Sequence, residues 1–293
     1  MTLLPDRVER SSPSPRPVRL LVAAKAADAA GRAFRLLQPG WTLAVTAALL
    51  GLAALAWWLT WRQTGAMTMG GMGQPAAALF LPMWVTMMVA MMFPAVAPVV
   101  LSHLAVVVPR GGGLSSTAAL VGGYLAIWAV AGLLPLAVII ACPLVMSEAA
   151  GPTVSIVGGL IILVAGLYQF TGRKHACLTA CVHPYEFVVA HDFDKGAAGG
   201  LRTGLLYGLY CLGCCWALMT VLVLVGLMDL RWMAAVSVII LAERTWRYGA
   251  YLSFVAGMLM AELGIAVMVS GVQLLSHLGD GLLTALATSP CGA

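Results

Sequence analysis

Apolar runs of bilayer length recur along this 293-residue chain, and they leave few folds open to it. A helix needs about 20 apolar residues to cross a hydrocarbon core. Seven stretches come near that length: 41–61, 79–101, 117–141, 153–170, 203–227, 228–243 and 249–272. In lipid every backbone polar group must find a partner inside the protein, which restricts spanning segments to helices and closed barrels. Unbroken runs without polar alternation favour helices. Charged residues make up 9% of the chain, against about 25% in a soluble domain. The expected fold is therefore all-α, a polytopic transmembrane helical bundle of about seven spans.

Charge placement sets the orientation. With the N-terminus cytoplasmic, fourteen Lys and Arg fall inside and two, Arg62 and Arg231, fall outside. Cytoplasmic loops carry just such an excess. The net charge of +5 thus reads as topology, and no nucleic-acid partner is expected. The expected location is the bacterial cytoplasmic (inner) membrane, multi-pass. The stretch 228–243 is short for a crossing; a re-entrant sixth segment would carry Arg244 and Arg247 outside, which the charge rule disfavours. Residues 1–37 are expected to be disordered and then to form a basic amphipathic arm on the lipid surface. Residues 38–293 make one transmembrane domain, with a Cys/His-rich cytoplasmic loop at 173–202.

The fifth run contains Cys211-Leu-Gly-Cys214-Cys215-Trp216. Positions i, i+3 and i+4 share a helical face, so three thiols point one way, with Met219 a turn further on. The loop before it reads His175-Ala-Cys177-Leu-Thr-Ala-Cys181-Val-His183, two Cys four apart with a His two residues from each. Soft thiolates and borderline imidazoles select thiophilic ions, copper as Cu(I) first and zinc second. His103, at the end of the second run, is expected on the same side. Eight of the sixteen Met lie between Met67 and Met92. Met83, Met87 and Met91 form a stripe, and Met67-x-Met69-x-x-Met72 forms an outer loop; thioethers suit Cu(I) better than zinc. Glu262, mid-span in the last run, is a candidate ligand or proton acceptor, because buried acids in membranes are costly. Glu243 is expected to pair with Arg244 or Arg247.

Several motifs together resemble a bacterial family described as predicted metal-binding integral membrane proteins (domain of unknown function 2182). They are Trp84-x-x-Met87-x-x-Ala90-Met91-Met92-x-Pro94, Cys177-Leu-x-x-Cys181-x-x-Pro184 and Tyr210-Cys-Leu-Gly-Cys-Cys-Trp-Ala-Leu-Met219. Gly226-x-Met228, Trp232-Met233-Ala234 and Glu243-Arg244 complete the pattern, over roughly residues 79–270. The chain departs from it at Tyr207, where members often carry His, and at Val182, where they often carry Arg. The resemblance implies metal binding without fixing the metal or an activity.

The reading is an integral membrane protein that binds a soft metal for transport, homeostasis or delivery to a metalloenzyme or other membrane partner. Its rivals are a membrane thiol–disulfide oxidoreductase that uses paired Cys and a quinone, and a structural subunit of a larger membrane complex. No phosphate-binding loop, dinucleotide fingerprint, nucleophile elbow or His-Glu-x-x-His helix occurs.

Overall fold

Among the described residues the apolar runs are helical over nearly all of their length. The computed structural model describes residues 39–67, 74–108, 114–145, 150–191, 196–225 and 229–270. In chain order the helices are α1 (Pro39–Met67), α2 (Gln74–Val107), α3 (Leu114–Ala131), α4 (Leu133–Val145) and α5 (Ala150–Tyr168). They continue as α6 (Gly172–Val182), α7 (Pro184–Ala190), α8 (Ala197–Val225), α9 (Leu230–Thr245) and α10 (Gly249–Ser270). No strand occurs among the described residues. The N-terminal arm, the Met69–Met72 loop, Asp192 and Asp194, His277 and Cys291 all lie outside them.

Among the described residues, five helical segments are long and apolar enough to cross a membrane: Thr42–Arg62, Leu79–Val107, Leu114–Val138, Ala197–Val223 and Gly249–Val269. A sixth is α5 with α6, if that pair, bent by 63°, is one broken span. The expected crossing at 228–243 is α9, whose 16 residues give about 24 Å, less than a 30 Å core. Helix α2 runs on through Pro82, Pro94 and Pro98. The expected third span is interrupted at Gly132, where the Trp84 indole fills the space of a side chain: a Cβ there would lie 2.5 Å from its Cδ1. Trp84 Nε1 then donates to the Trp128 carbonyl at 2.9 Å.

The segment 173–202, expected as a loop, is largely helical. Thr171 caps α6 by accepting from the Lys174 amide, and Pro184 opens α7 at its first position, where its missing N–H costs nothing. Both short helices pack on the main bundle: Lys174, Leu178 and Cys181 of α6 and Phe187 and Val188 of α7 are buried. Asp229 caps α9, and the Arg231 side chain beside it holds its carboxyl below the usual range.

Glycine seams set the helix pairs. A Cβ at Gly200 would lie 2.0 Å from the Ser116 carbonyl oxygen, and one at Gly204 2.0 Å from that of Leu120, while Gly208 faces Ile127. The Gly204-x-x-x-Gly208 pattern thus does what small residues do in apolar helix pairs, letting α3 and α8 touch backbone to backbone. Both numberings rise together along this contact, so α3 and α8 are parallel. Gly159 against Gly264, and Gly166 against Gly257 and Ala261, join α5 and α10 in the opposite sense. Gly204→Ala is expected to destabilise the protein by about 1–3 kcal/mol or more, because the blocking atom is backbone. Gly122 is the control, since a Cβ there would meet nothing within 4 Å. Gly122→Ala is expected to leave the thermal midpoint in detergent unchanged or raised, because Ala is the better helix former.

Candidate metal centre

The thiols of α8 are buried where that helix meets α6, α3 and α9. Cys211, Cys214 and Cys215 are at most 1% exposed and Cys181 is 6% exposed. Their spacing turns them onto one side of α8, as periodicity requires. On α6, Cys181 follows Cys177 by one turn, and the Cys181 and Cys214 sulfurs stand 3.7 Å apart. The sequence separation of this pair is 33 residues. Cys177 is only half-buried, its sulfur lying against Gly213.

A cation completes the group. Arg244, at the end of α9, donates from Nη2 to Cys211 Sγ at 2.9 Å and to Cys214 Sγ at 3.2 Å. Its Nε and Nη1 are buried and have no hydrogen-bond partner among the described residues. Arg is always charged, so a permanent positive charge sits beside two sulfurs with no carboxylate on it. The adjacent Glu243 turns elsewhere, to Lys174 Nζ of α6 at 2.8 and 3.1 Å and to the Ser253 hydroxyl of α10 at 2.8 Å. Lys174 is fully buried and Glu243 nearly so. The expected pairing of Glu243 with Arg244 or Arg247 is therefore replaced by a buried bridge to Lys174.

Tyr124 of α3 closes the far side, its hydroxyl 3.2 Å from Cys211 Sγ. Tyr207, one turn before Cys211, stacks obliquely on Tyr124 with centroids 6.1 Å apart. Cys215 Sγ donates to the Cys211 carbonyl at 2.8 Å, a local bond that helical thiols commonly make. Arg244, Lys174, Tyr124 and Tyr207 are the site neighbours that periodicity did not reveal. The only sequence signal for them is local: Tyr207 lies one helical turn from Cys211, and Glu243-Arg244 belongs to the motif set.

The other candidates divide clearly. Met87, Met91 and Met219 are buried. Helices α2 and α3 are antiparallel, since His103 Nδ1 meets Thr117 Oγ1 at 3.2 Å and Trp84 meets Trp128. Met87 and Met91 lie between these two anchors, on the stretch of α2 that spans the level of Tyr124. His103 itself is committed to Thr117, away from the thiols. His175, His183 and Glu262 are exposed. Among the described residues, no three or more Cys, His, Asp and Glu side chains are already gathered as a ligand shell. The arrangement is a close thiol pair with a third thiol tied to it through Arg244.

A family model described as PpoB2, copper chaperone, matches residues 81–267, well over half of the chain. The chain belongs to the PpoB2 copper chaperone family. That match contains every thiol, arginine and tyrosine of the site and most of the motif residues named above. It carries the metal-binding resemblance as far as a copper-related family, under a different description from the integral membrane proteins of the motif comparison. Comparison with curated proteins and with solved structures gives no match.

The donors of this PpoB2-family site are sulfur alone. Such a set suits a soft, low-coordinate ion. Cys181 and Cys214, 3.7 Å apart, would be the residues to hold such an ion.

Proposed function

We propose that the protein is a membrane-embedded chaperone that holds Cu(I) on Cys181, Cys214 and Cys211 and releases it to an assembling metalloenzyme. The observation that carries this reading is the 3.7 Å approach of Cys181 and Cys214, two sulfurs from separate helices buried beside a guanidinium. Thiolates bound to Cu(I) leave an excess negative charge, which Arg244 neutralises in place. Met219, Met87 and Met91 supply soft, buried sulfur around the centre and along α2. Zinc is the poorer match, because closed zinc sites take four ligands and the proposed set supplies three sulfurs. His175, His183 and Glu262, being exposed, take no part.

The bilayer is the proposed surroundings. Parallel α3 and α8 and antiparallel α5 and α10 fit seven alternating crossings with a cytoplasmic N-terminus, in which the third and fifth run outward and the fourth and seventh oppose each other. Leu134, Val269 and Tyr251 are among many large apolar side chains left exposed, as a lipid-facing surface requires. Helix α8 has 29 residues, about 44 Å, so its N-terminal turns extend beyond the hydrocarbon. Cys211 then lies near the inner boundary of the bacterial inner membrane.

Purified wild type, loaded with Cu(I) anaerobically, is expected to retain about one ion per chain against a competing chelator. Cys181→Ser with Cys214→Ser is expected to lower affinity at least about a hundredfold. Full copper retention by that double variant overturns the reading. The same sulfur pair supports a second one, a thiol–disulfide exchange site, since a bond needs the sulfurs to close to about 2.05 Å. A wild type that binds no copper and forms a Cys181–Cys214 disulfide with an oxidised dithiol partner would establish it instead.

A further inference from the structure

Thiols buried this deeply leave the passage of the ion unexplained. We infer that Cys177 is the exchange thiol through which Cu(I) reaches and leaves the buried centre, and that Gly213 is the opening that lets it do so; this rests on the copper reading above. Cys177 is half-buried, whereas Cys181, Cys211, Cys214 and Cys215 are at most 6% exposed. It stands one turn before Cys181 on α6, so the two sulfurs share a face. Across the interface its sulfur rests on the bare backbone of Gly213, the residue before Cys214: a Cβ there would come within 2.8 Å of Cys177 Sγ. Any side chain at 213 would press on the outer thiol and push it from this seat.

The opening is held in shape by its neighbours. The Tyr168 hydroxyl donates to the Gly213 carbonyl at 2.7 Å, and the Tyr168 ring packs on Trp216 with centroids 4.8 Å apart. These contacts fix the α8 backbone at the point where Cys177 meets it. Behind it, Arg244 sets a buried positive charge against Cys211 and Cys214, which marks the inner site as the place an anionic copper–thiolate unit comes to rest.

Transfer by this route is ligand exchange. A donor or acceptor that presents a thiolate bonds copper at Cys177; the bond to Cys214 or Cys181 forms before the outer one breaks. Each thiol gives up its proton as its copper–sulfur bond forms, and each displaced sulfur takes one up. Copper stays monovalent throughout, so neither oxidant nor reductant is consumed. The partner class is a thiol-bearing copper carrier or recipient, met at the exposed side of α6.

The test separates rate from affinity. Copper-loaded protein is mixed with excess bicinchoninate, and the Cu(I) complex is followed in time and at equilibrium. Cys177→Ser is expected to keep the Kd within about threefold of wild type while slowing release at least about tenfold. Gly213→Ala, which leaves the thiol in the chain but pushes it off the opening, is expected to slow release likewise. Alkylating Cys177 with N-ethylmaleimide in loaded protein, with Cys142 and Cys291 replaced by Ser, is expected to arrest release without any refolding step. Unchanged release rates in all three overturn the inference. So does a Kd loss for Cys177→Ser as large as that for Cys214→Ser, which would make Cys177 a resident ligand. A wild type that binds no copper refutes the parent reading instead.

Discussion

Arg244→Met is expected to weaken Cu(I) binding by about ten- to a hundredfold, the usual loss when a group that supports metal ligands is removed. The same change is expected to leave the metal-free protein as stable as wild type, or more so. Both outcomes follow from one arrangement. Arg244 is a buried cation whose only acceptors among the described residues are sulfurs, and two of its nitrogens find no partner there. A buried charge with such poor compensation costs stability, and an apolar side chain of similar volume relieves it. What is lost is the positive charge that balances copper-bound thiolates. Arg244→Lys keeps the charge but not the reach or the planar fork, and should recover part of the affinity. Chelator competition and thermal midpoints on the three proteins check the pair of effects. An Arg244→Met protein that binds copper as tightly as wild type would remove Arg244 from the site.

Glu243→Gln, one residue away, is expected to behave in the opposite manner and to destabilise the fold by about 3–5 kcal/mol. It strips the counter-charge from Lys174, which is wholly buried and bonds both carboxylate oxygens. Lys174→Met is expected to cost a similar amount, by leaving a buried carboxylate with only the Ser253 hydroxyl. Lys174→Met combined with Glu243→Gln is expected to recover most of the loss, because removing both charges restores a neutral interior. Thermal midpoints of the four proteins in detergent form the double-mutant cycle that measures the coupling. Additive losses in the double variant would show that the bridge is not what binds α6 to α9 and α10. Adjacent residues on one helix thus face different partners, Glu243 a lysine and Arg244 two thiols.

Sequence periodicity reached the parts of this site that depend on a single helix. The shared face of Cys211, Cys214 and Cys215 and the close approach allowed by Gly204 and Gly208 follow from 3.6 residues per turn. It did not reach the charges. Lys174 and Arg244 count as cytoplasmic positives when loops are compared, yet both are buried. Their partners lie 69 and 33 or 30 residues away in the chain, beyond any local pattern. Glu243 and Arg244 are neighbours in sequence, but successive side chains on a helix diverge by about 100°, so one faces Lys174 and the other sulfur. The polar stretch at 173–202 looked like a loop because its apolar residues are sparse. The cap at Thr171 and Pro184 at a helix start were the local signs that it folds. Ligand chemistry also says nothing about which way a side chain faces: His175, His183 and Glu262 are exposed.

The contact of α3 with α8 has a consequence for which changes the chain can absorb. Because Gly200 and Gly204 meet main-chain carbonyls, the rotation of α8 is locked by backbone registry. One residue inserted between Gly208 and Cys211 would swing all three sulfurs by about 100°, off Cys181 and Arg244. Diversity among relatives should therefore show as substitutions on this stretch while its length stays constant, the spacing from glycine to cysteine being a ruler built into the protein.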